Sequence, residues 1–182
     1  KEMNSPEFIA LGTRCTAATI LNLTNRRKNA YPFDWCDQPI ESILNLIKIP
    51  HSTDDELKSF IDNYFNEVRS QRHPDGAWYP HDFIPTDNPE QQLIFIKEKY
   101  LRRFKRMFDL FESERGIVFL TVLSEYKEQS IVPFDRLSCY LYNATKCRKI
   151  FFIAINVESY DICIGNWINL VVPFHGDWGR LD

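Results

Sequence analysis

Two nearly unbroken apolar stretches, Gly116 to Leu123 and Lys149 to Asn156, bracket a segment of helical periodicity from Pro133 to about Lys146. A strand covered on both faces reads as a continuous hydrophobic run, and both stretches have that character. Between them, Phe134, Leu137, Leu141 and Ala144 recur at spacings of three and four. Strand, helix and buried strand in that order form a βαβ unit, which pairs its strands in parallel through a right-handed crossover. The unit predicts an α/β fold: one sandwich domain over residues 1–182, with a mainly parallel central sheet flanked by helices.

The rest of the chain supplies matching parts. Phe8-Ile9-Ala10-Leu11 reads as a first strand and Trp167 to Val172 as a last one. Cys15 to about Asn25, Gln38 to Ile49 and Pro89 to about Ser113 carry helical apolar spacing, and Pro50 stops the second of these. Ser52-Thr53-Asp54-Asp55-Glu56 places a capping hydroxyl before first-turn acids, a helix start. Ala77 to Ile84 is aromatic and extended, and Pro80 keeps it from the middle of a sheet.

A formal charge of −3 and a pI near 5.8 exclude a domain that holds nucleic acid by bulk electrostatics. No apolar run approaches the ~18 residues of a membrane span, so none is expected. The N-terminus also lacks the layout of a signal peptide. Five cysteines, an odd number at irregular spacing, argue against a disulfide framework and for a reducing, cytoplasmic setting. There is no C-x-x-C and no histidine pair at helical ligand spacing, so neither a metal nor another cofactor is expected.

In parallel sheets, chemistry gathers beyond the carboxyl ends of the strands. Gly12-Thr13-Arg14-Cys15 lies at such an end and opens a helix, where unpaired N–H groups and the helix dipole favour a thiolate. A nucleophilic cysteine needs a base, a group to orient that base, and donors for an oxyanion. Of the four histidines, His51 and His73 fall in polar surface settings, whereas His81 and His175 have neighbours able to hold a ring. For His175 that neighbour is Asp177. Asp34 is a candidate orienting carboxylate or loop anchor, and Asp82 is another, although a regular strand would point it away from His81. Backbone N–H groups at Cys15 and its neighbour, with the Thr13 hydroxyl, are candidate oxyanion donors. Glu125, Asn156 and Glu158 follow the buried strands and belong to the same end.

Several of these residues carry a family resemblance. Leu11-Gly12-Thr13-Arg14-Cys15, Pro32-Phe33-Asp34-Trp35, His81-Asp82-Phe83 and Tyr100-Leu101-Arg102-Arg103-Phe104 resemble a papain-like cysteine peptidase family of unknown function from bacteria and some viruses. The resemblance covers roughly residues 8–123. It implies a Cys/His site in which Cys15 and His81 match the family's cysteine and histidine, with Asp34 and Arg103 at other motif positions. A papain-like core has a largely antiparallel sheet, so the resemblance and the periodicity imply different architectures.

Three functions follow. In the first, a thiol-dependent hydrolase or acyltransferase uses Cys15, His81 and Asp34 or Asp82, with Thr13, Arg14, Trp35, Trp78, Arg102 and Arg103 around a small-molecule, peptide or glycan substrate. In the second, Cys15 is structural, and Trp35, Trp78, Asp34 and His81 line the pocket of a sugar or nucleotide-sugar binding transferase with Arg102, Arg103 or Arg106 facing phosphate. The third is a non-enzymatic interaction domain with an exposed apolar patch.

Overall fold

The computed structural model describes residues 5–12, 15–122, 132–147, 149–157 and 167–172. Strands β1 (Glu7–Ala10), β2 (Ile117–Val122), β3 (Ile150–Val157) and β4 (Ile168–Val172) form a sheet in the order β1-β2-β3-β4. Every pairing is parallel. The architecture is thus the one the βαβ periodicity implies, and the antiparallel sheet of a papain-like core is not found among the described strands. The N–H of Leu11 extends the β1 ladder to the Leu120 carbonyl at 2.8 Å, carrying the chain to the doorstep of Cys15.

Alternation along the strands separates two cores. Ile9, Phe119 and Phe152 are in register and join the larger core beneath helices α2 (Ile40–Leu46), α3 (Asp54–Asn66), α4 (Pro89–Phe111) and α5 (Val132–Ala144). Ala10, Leu120, Val122 and Ile155 form the smaller core with Ala17, Ala18 and Leu21 of helix α1 (Cys15–Leu23). Helices therefore cover both faces. The alanines of α1 let that helix lie close to the sheet, which fixes where its first residue, Cys15, comes to rest.

Helix ends follow local chemistry. Thr53 and Glu56 make a reciprocal capping box on α3, and Asn88 caps α4 with Pro89 in its first turn. Helix α1 stops at Leu23 because Asn25 takes a left-handed conformation (φ 53°), and the Arg26 and Arg27 N–H groups turn back onto the Leu21 carbonyl. Helix α2 ends at Leu46, short of the expected Ile49, since Pro50 disfavours helical geometry just before it. Among the described residues, no helix is long and apolar enough to cross a membrane.

The loop after α3 is fastened by a polar chain. Gln38 Nε2 donates to the Tyr79 hydroxyl (2.6 Å), which donates to that of Tyr64 (3.0 Å). The Tyr64 hydroxyl donates to Asp75 (2.9 Å), and Asp75 also accepts from Ser42 (2.7 Å) and the Ala77 N–H (2.9 Å). Gly76 follows at φ 95°, a turn conformation that side chains resist. Burial would push the Asp75 carboxyl up, but the Ala77 N–H, Ser42, His73 and Tyr64 together hold it below its ordinary value of 3.8. A carboxylate depressed in the folded state stabilises above its unfolded pKa, and that stability is lost as pH falls through the folded value. Asp75→Asn is expected to cost about 1 kcal/mol at neutral pH, discounted for a partly hydrated side chain, and to flatten the acid limb of stability. Denaturant midpoints measured across an acid pH series check both effects.

Candidate active site

Residue Gly12 admits the loop that builds the site. A Cβ there would stand 2.1 Å from the Phe33 carbonyl oxygen and 2.9 Å from Cys36 Sγ, so only glycine allows the approach. The Gln38 N–H donates to the Gly12 carbonyl at 2.7 Å. One residue earlier, Asp37 exchanges backbone hydrogen bonds with Trp78 at 2.9 and 2.7 Å, tying this loop to the 70s loop. A turn at Tyr79, whose carbonyl accepts from the Asp82 and Phe83 N–H groups, then presents His81.

These ties bring Cys15 Sγ and His81 Nε2 within 3.3 Å, across 66 positions of sequence. His81 is solvent-exposed and Cys15 partly buried, so a reagent can reach the pair. Cys15 is the first residue of α1, where backbone N–H groups lack intrahelical acceptors and the dipole is positive. Cys36 is different: burial pushes its thiol well above the ordinary range, and Asp34 and Cys15 raise it further. It stays protonated and donates to the Phe33 carbonyl at 3.1 Å.

The two candidate carboxylates are engaged elsewhere. Asp34 accepts from Arg27 Nε and Nη2 at 3.0 and 2.9 Å and from the Tyr31 N–H at 3.0 Å. Burial raises its carboxyl pKa, opposed by the Tyr31 N–H and the Arg27 and Arg103 guanidiniums. Asp82 accepts from the Tyr100 hydroxyl at 2.7 Å and pairs with Lys99. Among the described residues neither carboxylate hydrogen-bonds to His81, and both anchor the loops on either side of it.

The other candidates divide. Trp35 meets the His81 ring edge to face, centroids 5.9 Å apart at 78°. The Trp78 indole donates to Gln71 Oε1 at 3.2 Å and carries Arg72 over its ring, which makes it part of the loop's own fastening. Arg102 is exposed, and Arg106 donates to the Ala30 carbonyl at 2.6 Å. Arg103 lies over the Tyr100 ring, with a buried Nη1 that has no hydrogen-bond partner. Thr13, Arg14, Glu125, Glu158, His175 and Asp177 lie outside the described residues. Asn156 belongs to β3.

His73, read from sequence as a surface residue, stacks on Tyr64 at 3.7 Å and pairs with Asp75 instead. His51 is exposed but stacks on Phe108, also at 3.7 Å. Nothing in the sequence singles out Arg27, because Arg26-Arg27-Lys28 reads as a hydrated helix end. It binds Asp34 and lies over the Trp35 ring at 5.5 Å. No local signal marks it, since its partners are brought to it by the turn after α1. Among the described residues, no three His, Cys, Asp or Glu side chains gather as metal ligands.

Fold and site together define an α/β domain that presents a thiol and an imidazole, in contact, beyond the carboxyl end of its first strand. The family model described as "Putative papain-like cysteine peptidase" matches residues 6–146, and the chain belongs to that family. The match runs through α5, beyond the motifs that carry the resemblance. The chain is also similar to "Uncharacterized protein R408" of Acanthamoeba polyphaga mimivirus, 29% identical over an alignment of 137 residues covering 64% of this chain. The alignment spans 61% of that relative's length. No solved structure matches the chain.

Proposed function

We propose that this chain is a thiol-dependent hydrolase or acyltransferase in which Cys15 is the nucleophile and His81 the base. The observation that carries the reading is the 3.3 Å contact between Cys15 Sγ and His81 Nε2 at the start of a helix. Membership of a cysteine-peptidase family supports the same class.

At that distance the thiol proton passes to Nε2, leaving a thiolate beside an imidazolium. The thiolate attacks an acyl carbon, and the oxygen that gains charge is met by first-turn N–H groups of α1. The Nε2 proton then goes to the departing amine or alcohol, leaving a thioester on Cys15. Water, deprotonated by the now neutral His81, hydrolyses the thioester; in the transferase variant an acceptor hydroxyl or amine takes the acyl group. Asp34 and Asp82 serve as anchors of the two loops. Thr13, Arg14 and Arg103 are the residues assigned to substrate, and a groove of about 510 Å³ lined by Gln71, Phe83, Ile84, Pro85, Pro89 and Gln92 adjoins the His81 loop. A reducing, cytoplasmic setting, expected from the odd number and irregular spacing of the cysteines, is part of the same reading.

Incubation with p-nitrophenyl acetate tests the reading. A rapid release of about one equivalent of nitrophenol per chain is expected, with the acetyl group found on Cys15 by mass spectrometry. Cys15→Ala removes that phase. Release at an unchanged rate from the Cys15→Ala chain would overturn the assignment.

A further inference from the structure

We propose that Trp35, clamped by the Arg27–Asp34 pair, is the positioning residue that holds the His81 imidazole toward Cys15. The inference rests on the Cys15–His81 reading and adds to it the device that aims the base. In a hydrolase triad the far nitrogen of the imidazole is bound to a carboxylate, which fixes the ring's rotation. Here, among the described residues, His81 Nδ1 has no hydrogen-bond partner, and Asp34 and Asp82 spend their oxygens on Arg27, Tyr31, Lys99 and Tyr100. The ring is exposed, so burial does not fix it either. What touches it is the indole of Trp35, edge to face, in the geometry aromatic pairs prefer.

The indole is itself held. Trp35 has φ 63°, a left-handed conformation that bulky residues adopt only when their surroundings impose it. That backbone aims the side chain out of the Tyr31-Pro32-Phe33-Asp34 turn, where it packs beside the smaller core. Arg27 lies over its ring at 5.5 Å, and the guanidinium is fixed by two hydrogen bonds to buried Asp34. A chain of contacts thus runs from Asp34 through Arg27 and Trp35 to His81 and Cys15. The charged groups on the described elements around His81 are Arg27, Asp34 and Asp37 on the loop side, Asp82 beside it in sequence, and Lys99, Arg102 and Arg103 on α4. Arg27 pairs with Asp34 and Lys99 with Asp82, and replacing Trp35 changes the ring's freedom without breaking either pair.

The test compares pH–rate profiles for iodoacetamide alkylation of Cys15 in the full chain and in Trp35→Phe, Trp35→Leu and Arg27→Gln. Trp35→Leu keeps apolar bulk and loses the aromatic edge; it is expected to slow alkylation at pH 6 by roughly 10- to 100-fold and to move the profile toward that of a free thiol. Trp35→Phe retains the edge and stays within about 3-fold of the parent, while Arg27→Gln falls between the two. Melting curves identify any variant that fails to fold, and Trp35→Phe against Trp35→Leu is the comparison that decides. If the parent shows a depressed thiol and Trp35→Leu keeps the same profile, Trp35 does not position His81. A parent profile already that of a free thiol removes the underlying Cys15–His81 reading instead.

Discussion

Replacing Gly12 with alanine is expected to cost about 3 kcal/mol of stability and to abolish the reactivity of Cys15 together. The added methyl would sit 2.1 Å from the Phe33 carbonyl oxygen, a backbone atom, and 2.9 Å from Cys36 Sγ. Neither neighbour can rotate away, since Cys36 is wholly buried and the Phe33 carbonyl is part of the turn. The 31–38 loop must therefore lift from the end of β1, and the 2.7 Å bond from the Gln38 N–H to the Gly12 carbonyl goes with it. Lifting that loop also separates Asp37 from Trp78, the tie that delivers His81. Denaturant unfolding with Cys15 alkylation on the same samples checks both losses; unchanged stability would show that the loop yields more easily than its packing indicates.

Replacing His81 with alanine should have a larger kinetic and a smaller structural effect. The ring is exposed and, among the described residues, hydrogen-bonds to no backbone group, so the melting temperature is expected to stay within a few degrees of the parent. Acylation by p-nitrophenyl acetate at pH 7 is expected to fall by about 10²- to 10⁴-fold, the usual contribution of a positioned base. The deficit should shrink as pH rises, because hydroxide then removes the thiol proton that the imidazole no longer takes. A His81→Ala chain acylated at the parent rate across pH 6 to 9 would remove the histidine from the mechanism.

The parts of this molecule that announce themselves in sequence are those with one dominant local cause. Continuous apolar runs at Ile117–Val122 and Ile150–Val157 dictate the two central strands, of which β2 is buried throughout, as expected, while β3 leaves Phe151 exposed, and Pro89 after a capping Asn88 dictates where α4 begins. Cys15 at the opening of α1 is legible for the same reason, since glycine followed by a helical stripe marks the strand–helix junction. The pairing of Cys15 with His81 has no local cause; it depends on the Gln38–Gly12 and Asp37–Trp78 backbone bonds, which are tertiary.

The carboxylates illustrate the limit most sharply. Asp34 and Asp82 are each close in sequence to a residue of the site, and proximity makes both plausible partners for His81. Their oxygens are taken by Arg27 and by the Lys99–Tyr100 pair, one from the turn after α1 and one from α4. Arg27 sits in a basic run whose composition predicts hydration, and Trp35 owes its placement to a left-handed backbone that no propensity forecasts. What a sequence withholds here is which buried acceptor claims which donor.

The pH dependence of Cys15 alkylation by iodoacetamide, followed residue by residue with mass spectrometry in the intact chain and in His81→Ala, bears most directly on the central claim. An activated thiolate requires the parent rate to stay high well below the ~8.5 of a free cysteine, and the His81→Ala rate to fall away in that acid range. A parent Cys15 that titrates as an ordinary thiol, with a profile indifferent to His81, would contradict the account.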